Sequence, residues 1–298
     1  MKPKIVIIVG PTGIGKSQLA LKLAQRINGE IVVADSMKVY RYLDIGTDKP
    51  TPRERALIPH HLVDIINPDE SFSAGQFRDM AQKVIASIKG KKGNVLVCGG
   101  TGLYVKALFQ GLFSESERSE ELRQTLREQA TQHGEGYLYG QLKKVDPVSA
   151  RRIHPKDIFR IIRALEVYSL TGLPISHHHS NHAFQDSNYE YLQIGLQLDR
   201  TLDQMVADGF IEEVKSLLAR GYHSGLRSMQ SLGYRHCCSY LEGQATLKEA
   251  LRTMKRDTRH YAKRQLTWFR ADPRVIWVND PLKNFHQVES IIKNFLFS

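Results

Sequence analysis

Cysteine is scarce in this sequence, and its three residues have no framework spacing: Cys98 stands far from the adjacent pair Cys237 and Cys238. Neither a disulfide scaffold nor a zinc knuckle can be built from them, so a reducing compartment is expected. Long apolar runs are also missing. The opening run, between Lys4 and Gly10, is too short for a signal-peptide core or a membrane span, and no later segment approaches membrane length. A cytoplasmic protein without membrane contact is expected. Low-complexity tracts and internal repeats are absent, which together with 41% hydrophobic and 24% charged residues argues against disorder. Acidic residues are few beside basic ones: 31 Asp and Glu against 42 Lys and Arg leave a formal charge of +11. A polyanionic partner is the leading explanation, and a scattered basic surface is the alternative. A chain of 298 residues can bury a large core, either as one α/β domain with an insertion or as two smaller domains.

Periodicity supplies the fold class. The β-branched run 5–9 predicts a strand buried on both faces of a parallel sheet. From Lys16 the apolar residues Leu19, Ala20, Leu23, Ala24 and Ile27 keep helical spacing, and Asn28-Gly29 supplies a stop. Strands are predicted over 30–34 and 94–98, with a helix over 77–88 between them. Strands alternating with helices imply a doubly wound parallel sheet, an α/β fold. From Ser114 the pattern changes to helices without strands, including 120–129 and 156–170. A mainly helical insertion, residues 115–190, is therefore expected between core segments 1–114 and 191–298. Residues 177–189 read as polar and irregular, and 191–198 as a strand returning to the sheet. Helices over 204–220 and 246–270, a strand over 274–278 and a helix over 282–297 complete the expectation.

Gly10-Pro11-Thr12-Gly13-Ile14-Gly15-Lys16-Ser17 fits G-x-x-x-x-G-K-[ST], and it lies between a buried strand and an amphipathic helix as that motif requires. Backbone N–H groups of such a loop point at a bound anion, Lys16 adds a point charge, and Ser17 can ligate Mg²⁺. The loop leaves open whether the anion is a nucleotide such as ATP or another diphosphate. The strand 94–98 ends in Gly99, without the acid that steadies Mg²⁺ in nucleotide hydrolases, and no Asn-Lys-x-Asp run for guanine is present. Asp35 instead follows the second strand. Strand C-termini face the ligand crevice in such sheets, so Asp35 is placed to act as a general base; the alternative is a cap on the segment after it.

Arg252, Arg256, Arg259 and Lys263 recur at helical spacing, with Tyr261, Arg264, Trp268 and Arg270 nearby, while Ala262, Leu266 and Phe269 mark a core-directed face. Cations beside stacking rings suit RNA. Arg151, Arg152, Arg160 and Arg163 form a second basic cluster in the helical insertion. A solvated face is the alternative for both. His177, His178, His179 and His182, with Asp186 as their only acidic neighbour, are expected to be solvent-exposed or adventitious metal binders rather than a metal site, and Cys237-Cys238 to be buried or inert.

These residues resemble a known family, the tRNA dimethylallyltransferases. The phosphate loop is similar to its G-P-T-x-x-G-K-[ST]. Ala34-Asp35-Ser36-Met37-Lys38-Val39-Tyr40-Arg41 is similar to its A-D-S-x-Q-[VI]-Y-[RK], with Lys38 where Gln is usual. Asp44 to Pro50, Pro59 to Leu62, Gly99 to Tyr104, Arg152 to Pro155, Arg163 to Glu166 and Tyr261 to Arg270 also match, so the resemblance runs almost end to end. It implies a P-loop NTPase-like parallel sheet flanked by helices, and an enzyme that moves a dimethylallyl group from its diphosphate to the exocyclic amine of the adenosine 3′ of the anticodon. Thr12, Lys16 and Ser17 with Mg²⁺ would hold the leaving diphosphate. Asp35 would accept the amine proton after the base is flipped out. Asp35, Ser36, Met37, Lys38, Thr101, Arg123, Arg160, Arg163, Arg259 and Lys263 would meet the tRNA, the helical insertion clasping its anticodon stem-loop, with the protein acting as a monomer.

The resemblance breaks in one place. After Leu198-Asp199-Arg200 the family continues L-Y-x-R-I-x-x-R-V-D, whereas Thr201-Leu202-Asp203-Gln204-Met205 follows here, about eight residues short and lacking two arginines. The resemblance implies that those arginines help to bind the diphosphate, so the expectation is that the protein carries the stretch. Two rival functions share the phosphate loop: a small-molecule kinase, which has no use for the C-terminal basic helix, and an RNA-binding ATPase, which the missing acid after Cys98 disfavours.

Overall fold

Alternation along the first strand, β1 (Lys4–Val9), sets the architecture: Ile5, Ile7 and Val9 enter one apolar cluster, Val6 and Ile8 another, and all five are fully buried. A strand covered on both faces has no solvent side and needs none of the polar alternation of an edge. The computed structural model describes residues 2–111, 119–134, 136–181, 187–197, 203–281 and 283–298.

The elements run α1 (Lys16–Ile27), β2 (Gly29–Val33), α2 (Pro52–Leu57), β3 (His60–His61), α3 (Ala74–Gly90), β4 (Asn94–Gly99) and α4 (Gly102–Gln110). The helical stretch holds α5 (Glu120–His133), α6 (Tyr137–Val145), α7 (Pro147–Arg152), α8 (Ile158–Thr171) and α9 (Ile175–Asn181). The chain returns through β5 (Glu190–Gln197), α10 (Asp203–Ala207), α11 (Phe210–Ala219), α12 (Tyr234–Leu241), α13 (Leu247–Arg270), β6 (Val275–Asn279) and α14 (Phe285–Phe297). Among the described residues the sheet is six-stranded with order β3-β2-β4-β1-β5-β6, every neighbouring pair parallel. One face is covered by residues of α1 and α14, among them Leu19, Leu23, Val288 and Ile292; the other by Phe77 of α3, Tyr104 of α4, Phe210 of α11 and Met254 and Phe269 of α13.

The chain divides into two compact units, one of residues 1–109 with 188–298, the other of residues 110–187. The second has its own core, built from Leu126, Leu138, Leu142, Ala150, Ile161, Ile162, Ala164 and Leu165.

Three expectations need correction. The stretch expected to be irregular from 177 begins inside a helix, α9, because the buried carboxylate of Asp146 accepts the Ser176 N–H at 3.0 Å and its hydroxyl at 2.7 Å, fixing the first turn. The helix expected over 204–220 is broken between α10 and α11, where Gly209 takes a left-handed φ of 93°. The helix expected from residue 282 starts at Phe285.

Candidate functional site

Register brings three turns together. Val9 pairs with Gly99, and Val33 with Cys98, so the residues after β1, β2 and β4 leave the sheet side by side at its C-terminal edge. The Ala34 N–H donates to Cys98 O at 2.8 Å and the Thr101 N–H to Ala34 O at 3.2 Å. Only glycine fits at 99: a Cβ there would meet the Ala34 carbonyl oxygen at 2.0 Å.

The first turn is Gly10 to Ser17, the loop expected to hold a phosphate. Gly15 caps α1 in the left-handed region and offers no side-chain cap to the first turn of the helix, whose N-terminal end faces the loop. Lys16 is buried and its Nζ donates to the Pro11 carbonyl. Burial drives its pKa down to about 8, with the charge of Lys38 adding to the fall and those of Asp35 and Asp48 opposing it.

Asp35 opens the second turn. Its Oδ1 accepts the Met37 N–H at 2.9 Å, so the capping role exists; it occupies one oxygen, and among the described residues no donor reaches Oδ2. Ser36 N–H donates to Thr101 Oγ1 at 3.0 Å, joining the second turn to the third. Burial raises the phenols of Tyr104 and Tyr261, the latter to about 12, with Asp35 contributing to both. Both phenols therefore stay protonated at neutral pH.

Lys38 is buried beside the phosphate loop, its Nζ donating to Ser17 Oγ at 3.2 Å and to Asp48 O at 2.5 Å. The cavity these turns enclose is lined by Thr12, Gly13, Gly15, Lys16, Ser17, Asp35, Lys38, Thr47, Asp48 and His60. Of the residues expected to serve catalysis or the diphosphate, Thr12, Lys16, Ser17 and Asp35 therefore share one cavity.

Three contributors were not singled out from sequence. Gln265, buried on α13, accepts the Thr12 N–H and donates to Gly100 O at 2.8 Å. A polar residue on the same helical stripe as Ala250, Met254 and Phe269 was the available signal. Asp48 enters the cavity on the loop 44–50, and Glu213 of α11 holds that loop. The Glu213 carboxylate accepts the N–H groups of Asp44 at 2.9 Å, Ile45 at 2.7 Å and Gly46 at 3.3 Å, and the Tyr234 hydroxyl at 2.6 Å.

Other expected contacts are distributed differently. Arg252, Arg256, Arg259 and Lys263 are exposed along α13, with Arg256 Nε on Asp257 at 2.9 Å. In the helical unit Arg160 is exposed beside Asp157, but Arg123 and Arg163 converge on Glu166, whose side chain is fully buried. Arg123 grips both carboxylate oxygens at 2.8 Å, so these two arginines first answer a buried charge within their own unit. Burial alone would raise the Glu166 pKa; the hydrogen bonds from Arg123 and Arg163 hold it below its ordinary value. His178 is buried, its Nε2 3.0 Å from Thr171 Oγ1, a correction to the exposure expected of it, while His182 and Asp186 lie outside the described residues. No cluster of three or more metal-ligating His, Cys, Asp or Glu occurs among the described residues. Burial raises the thiols of Cys237 and Cys238 to about 12 and 11, leaving both inert as expected.

No helix among the described residues is long and apolar enough to cross a membrane. The stretch expected after Arg200 does not exist: the full sequence passes directly to Thr201, a junction outside the described residues.

The sequence model of a family described as IPP transferase matches residues 38–272. The tRNA dimethylallyltransferase of Desulfosudis oleivorans is 46% identical over 304 aligned positions, covering 99% of this chain and 96% of that protein. That of Geobacter metallireducens is 48% identical, with 99% and 98% covered. Among solved structures, the full-length tRNA isopentenylpyrophosphate transferase of Bacillus halodurans is similar with a TM-score of 0.72 at 40% identity, covering 99% of this chain and 97% of that one. A eukaryotic dimethylallyltransferase captured acting on tRNA is similar with a TM-score of 0.79 at 28% identity, covering 93% and 74%.

Proposed function

The chain belongs to the IPP transferase family, and from that premise we propose that it transfers a dimethylallyl group from dimethylallyl diphosphate to the N6 amine of the adenosine 3′-adjacent to the anticodon of tRNA. The observation that supports the reading is the shared cavity of Lys16 and Asp35, where an ammonium group on the G-x-x-x-x-G-K-[ST] loop and a carboxylate line the same space. In the reaction the N6 nitrogen bonds to C1 of the dimethylallyl group as the C1–O bond breaks, and diphosphate leaves with the bonding electrons. The loop amides, Thr12 and Lys16 take up the growing negative charge. Asp35, through the oxygen not engaged by Met37, receives the proton lost by the amine.

On the tRNA side, Ser36, Met37, Lys38 and Thr101 border the place of chemistry, and the exposed Arg259 and Lys263 answer the phosphate backbone. Arg160, Arg163 and Arg123 of the helical unit would meet the anticodon stem-loop, the last two only through what Glu166 leaves them. A cytoplasmic monomer suits this work. The kinase and ATPase alternatives draw no support from the relatives, which carry tRNA-transferase names.

Mg²⁺ would reach the site as the companion of the diphosphate and help neutralise it. The chain's own donors fit a resident ion poorly: the Ser17 hydroxyl, expected to ligate it, has the Lys38 ammonium 3.2 Å away, a positive charge that opposes a second cation there. Incubating the protein with dimethylallyl diphosphate, Mg²⁺ and an anticodon stem-loop carrying that adenosine should add the mass of one prenyl group to the RNA. Transfer of a labelled γ-phosphate from ATP in its place would overturn the reading.

A further inference from the structure

A lysine ammonium placed out of water needs a reason, and at Lys38 the protein itself supplies only half of one. The residue is 8% exposed, and its backbone is pinned by the Asp64 N–H on its carbonyl at 3.2 Å and by the buried Val39 and Tyr40 that follow. Its Nζ meets two neutral oxygens, the hydroxyl of Ser17 and the backbone carbonyl of Asp48. Among the described residues no carboxylate lies at ion-pair distance from it, although Asp35 and Asp48 line the same cavity. The neighbouring cation, Lys16, is buried in that cavity too, and its charge is disfavoured there. Two ammonium groups converging on one phosphate loop make sense when an anion of more than one charge is the usual occupant.

The position of Nζ is specific. Mg²⁺ binds oxygen at about 2.1 Å, so an ion on Ser17 Oγ would lie within about 5 Å of the Lys38 nitrogen. Lys38 therefore occupies the electrostatic place that such an ion would take.

We propose that Lys38 is the resident cation of the diphosphate site: its ammonium contacts the phosphate next to Ser17, and the chain binds a diphosphate without needing a divalent metal first. The inference rests on the diphosphate reading of the loop and goes beyond it by assigning a charge-neutralising residue outside that loop.

Titration calorimetry with inorganic pyrophosphate tests it, on wild type and Lys38→Gln, in excess EDTA and again in excess Mg²⁺. A charge-assisted hydrogen bond corresponds to roughly ten- to a hundredfold in affinity. Wild type should bind pyrophosphate in EDTA, Lys38→Gln should bind it weaker by that factor, and Mg²⁺ should restore the variant more than it helps wild type. Equal affinities of the two proteins in EDTA would overturn the proposal. The wild-type comparison decides it even if the variant does not fold, because binding that requires Mg²⁺ overturns the role of Lys38 while leaving the diphosphate reading intact. Wild type that bound no pyrophosphate under either condition would overturn both.

Discussion

The side-chain oxygen of Gln265, on the last helix before the final strand, accepts the backbone N–H of Thr12 in the phosphate loop at 3.1 Å. Its amide nitrogen donates to Gly100 O, so one buried carboxamide spans the turns after β1 and β4. A Cβ at Gly100 would come within 2.5 Å of that nitrogen, which is why the third turn begins on two glycines. Gln265→Leu keeps the volume and removes both partners, leaving a buried donor and acceptor unpaired. A loss of about 1–3 kcal/mol is expected, with weaker donor binding as the loop loosens. Chemical denaturation and calorimetry with the diphosphate read the two effects; a variant unchanged in both would make the bridge incidental.

Glu213 does for the loop 44–50 what Gln265 does for the phosphate loop. Glu213→Gln keeps the shape but turns an NH₂ group toward backbone donors, and about 1–3 kcal/mol should be lost. Gly46→Ala attacks the same contact sterically, since its Cβ would fall 2.2 Å from the Phe210 ring. Both should raise the KM for the donor more than they lower kcat, because they displace Asp48 and, through it, Lys38. A pure kcat effect would count against this positioning role.

The pH dependence of donor binding should report Lys16. With its pKa near 8 in the free protein, the group is charged below that value and neutral above it. A diphosphate prefers the charged form, so affinity should fall roughly tenfold per unit as pH rises beyond about 8. The stability of the free protein should move the opposite way: between about 8 and the ordinary 10.5 the unfolded chain binds more protons, so stability rises with pH there. Affinity flat across this window would mean that Lys16 does not contact the anion.

Arg123 should matter more to the fold of the helical unit than to RNA. Arg123→Met strips the bidentate partner from a fully buried carboxylate, and removing one member of such a pair costs about 3–5 kcal/mol. Because the Glu166 pKa is depressed, its contribution is present above the ordinary carboxylate range and is lost as pH falls through the depressed value. The gap between variant and wild type should therefore narrow in acid. A variant of wild-type stability with weakened RNA affinity would reverse this assignment.

How much of this was legible in the sequence follows from distance along the chain. The phosphate loop and the buried strand before it are contiguous, so spacing alone found them, and Asp35 was found because a strand end predicts the crevice. Gln265 lies 253 residues from the Thr12 amide it serves, and Glu213 lies 169 residues from Asp44; no local pattern carries such contacts. Arg163 was partly readable, since its i,i+3 spacing to Glu166 marks a helical pair. What could not be read was that Glu166 is buried, which turns two surface-seeming cations into answers to a charge inside.

Asp35→Asn separates the turn contact of this carboxylate from the proton-accepting role proposed for it. The Asn carbonyl oxygen can still accept the Met37 N–H, so the turn should persist and stability should change little. What is lost is the capacity to take a proton, and loss of a general base costs about 10²- to 10⁴-fold in rate. The N6 amine is weakly acidic and the two neighbouring tyrosines hold their own protons at neutral pH, one with a pKa near 12, so neither can replace the carboxylate as a base. The fall should thus approach the upper end of that range. Single-turnover kinetics at saturating RNA isolate the chemical step: a base variant is slow there at unchanged RNA affinity, whereas a residue that only holds the adenine raises the RNA requirement too. A single-turnover rate equal to wild type would leave Asp35 as the cap of residues 35–37 and require another group to take the proton.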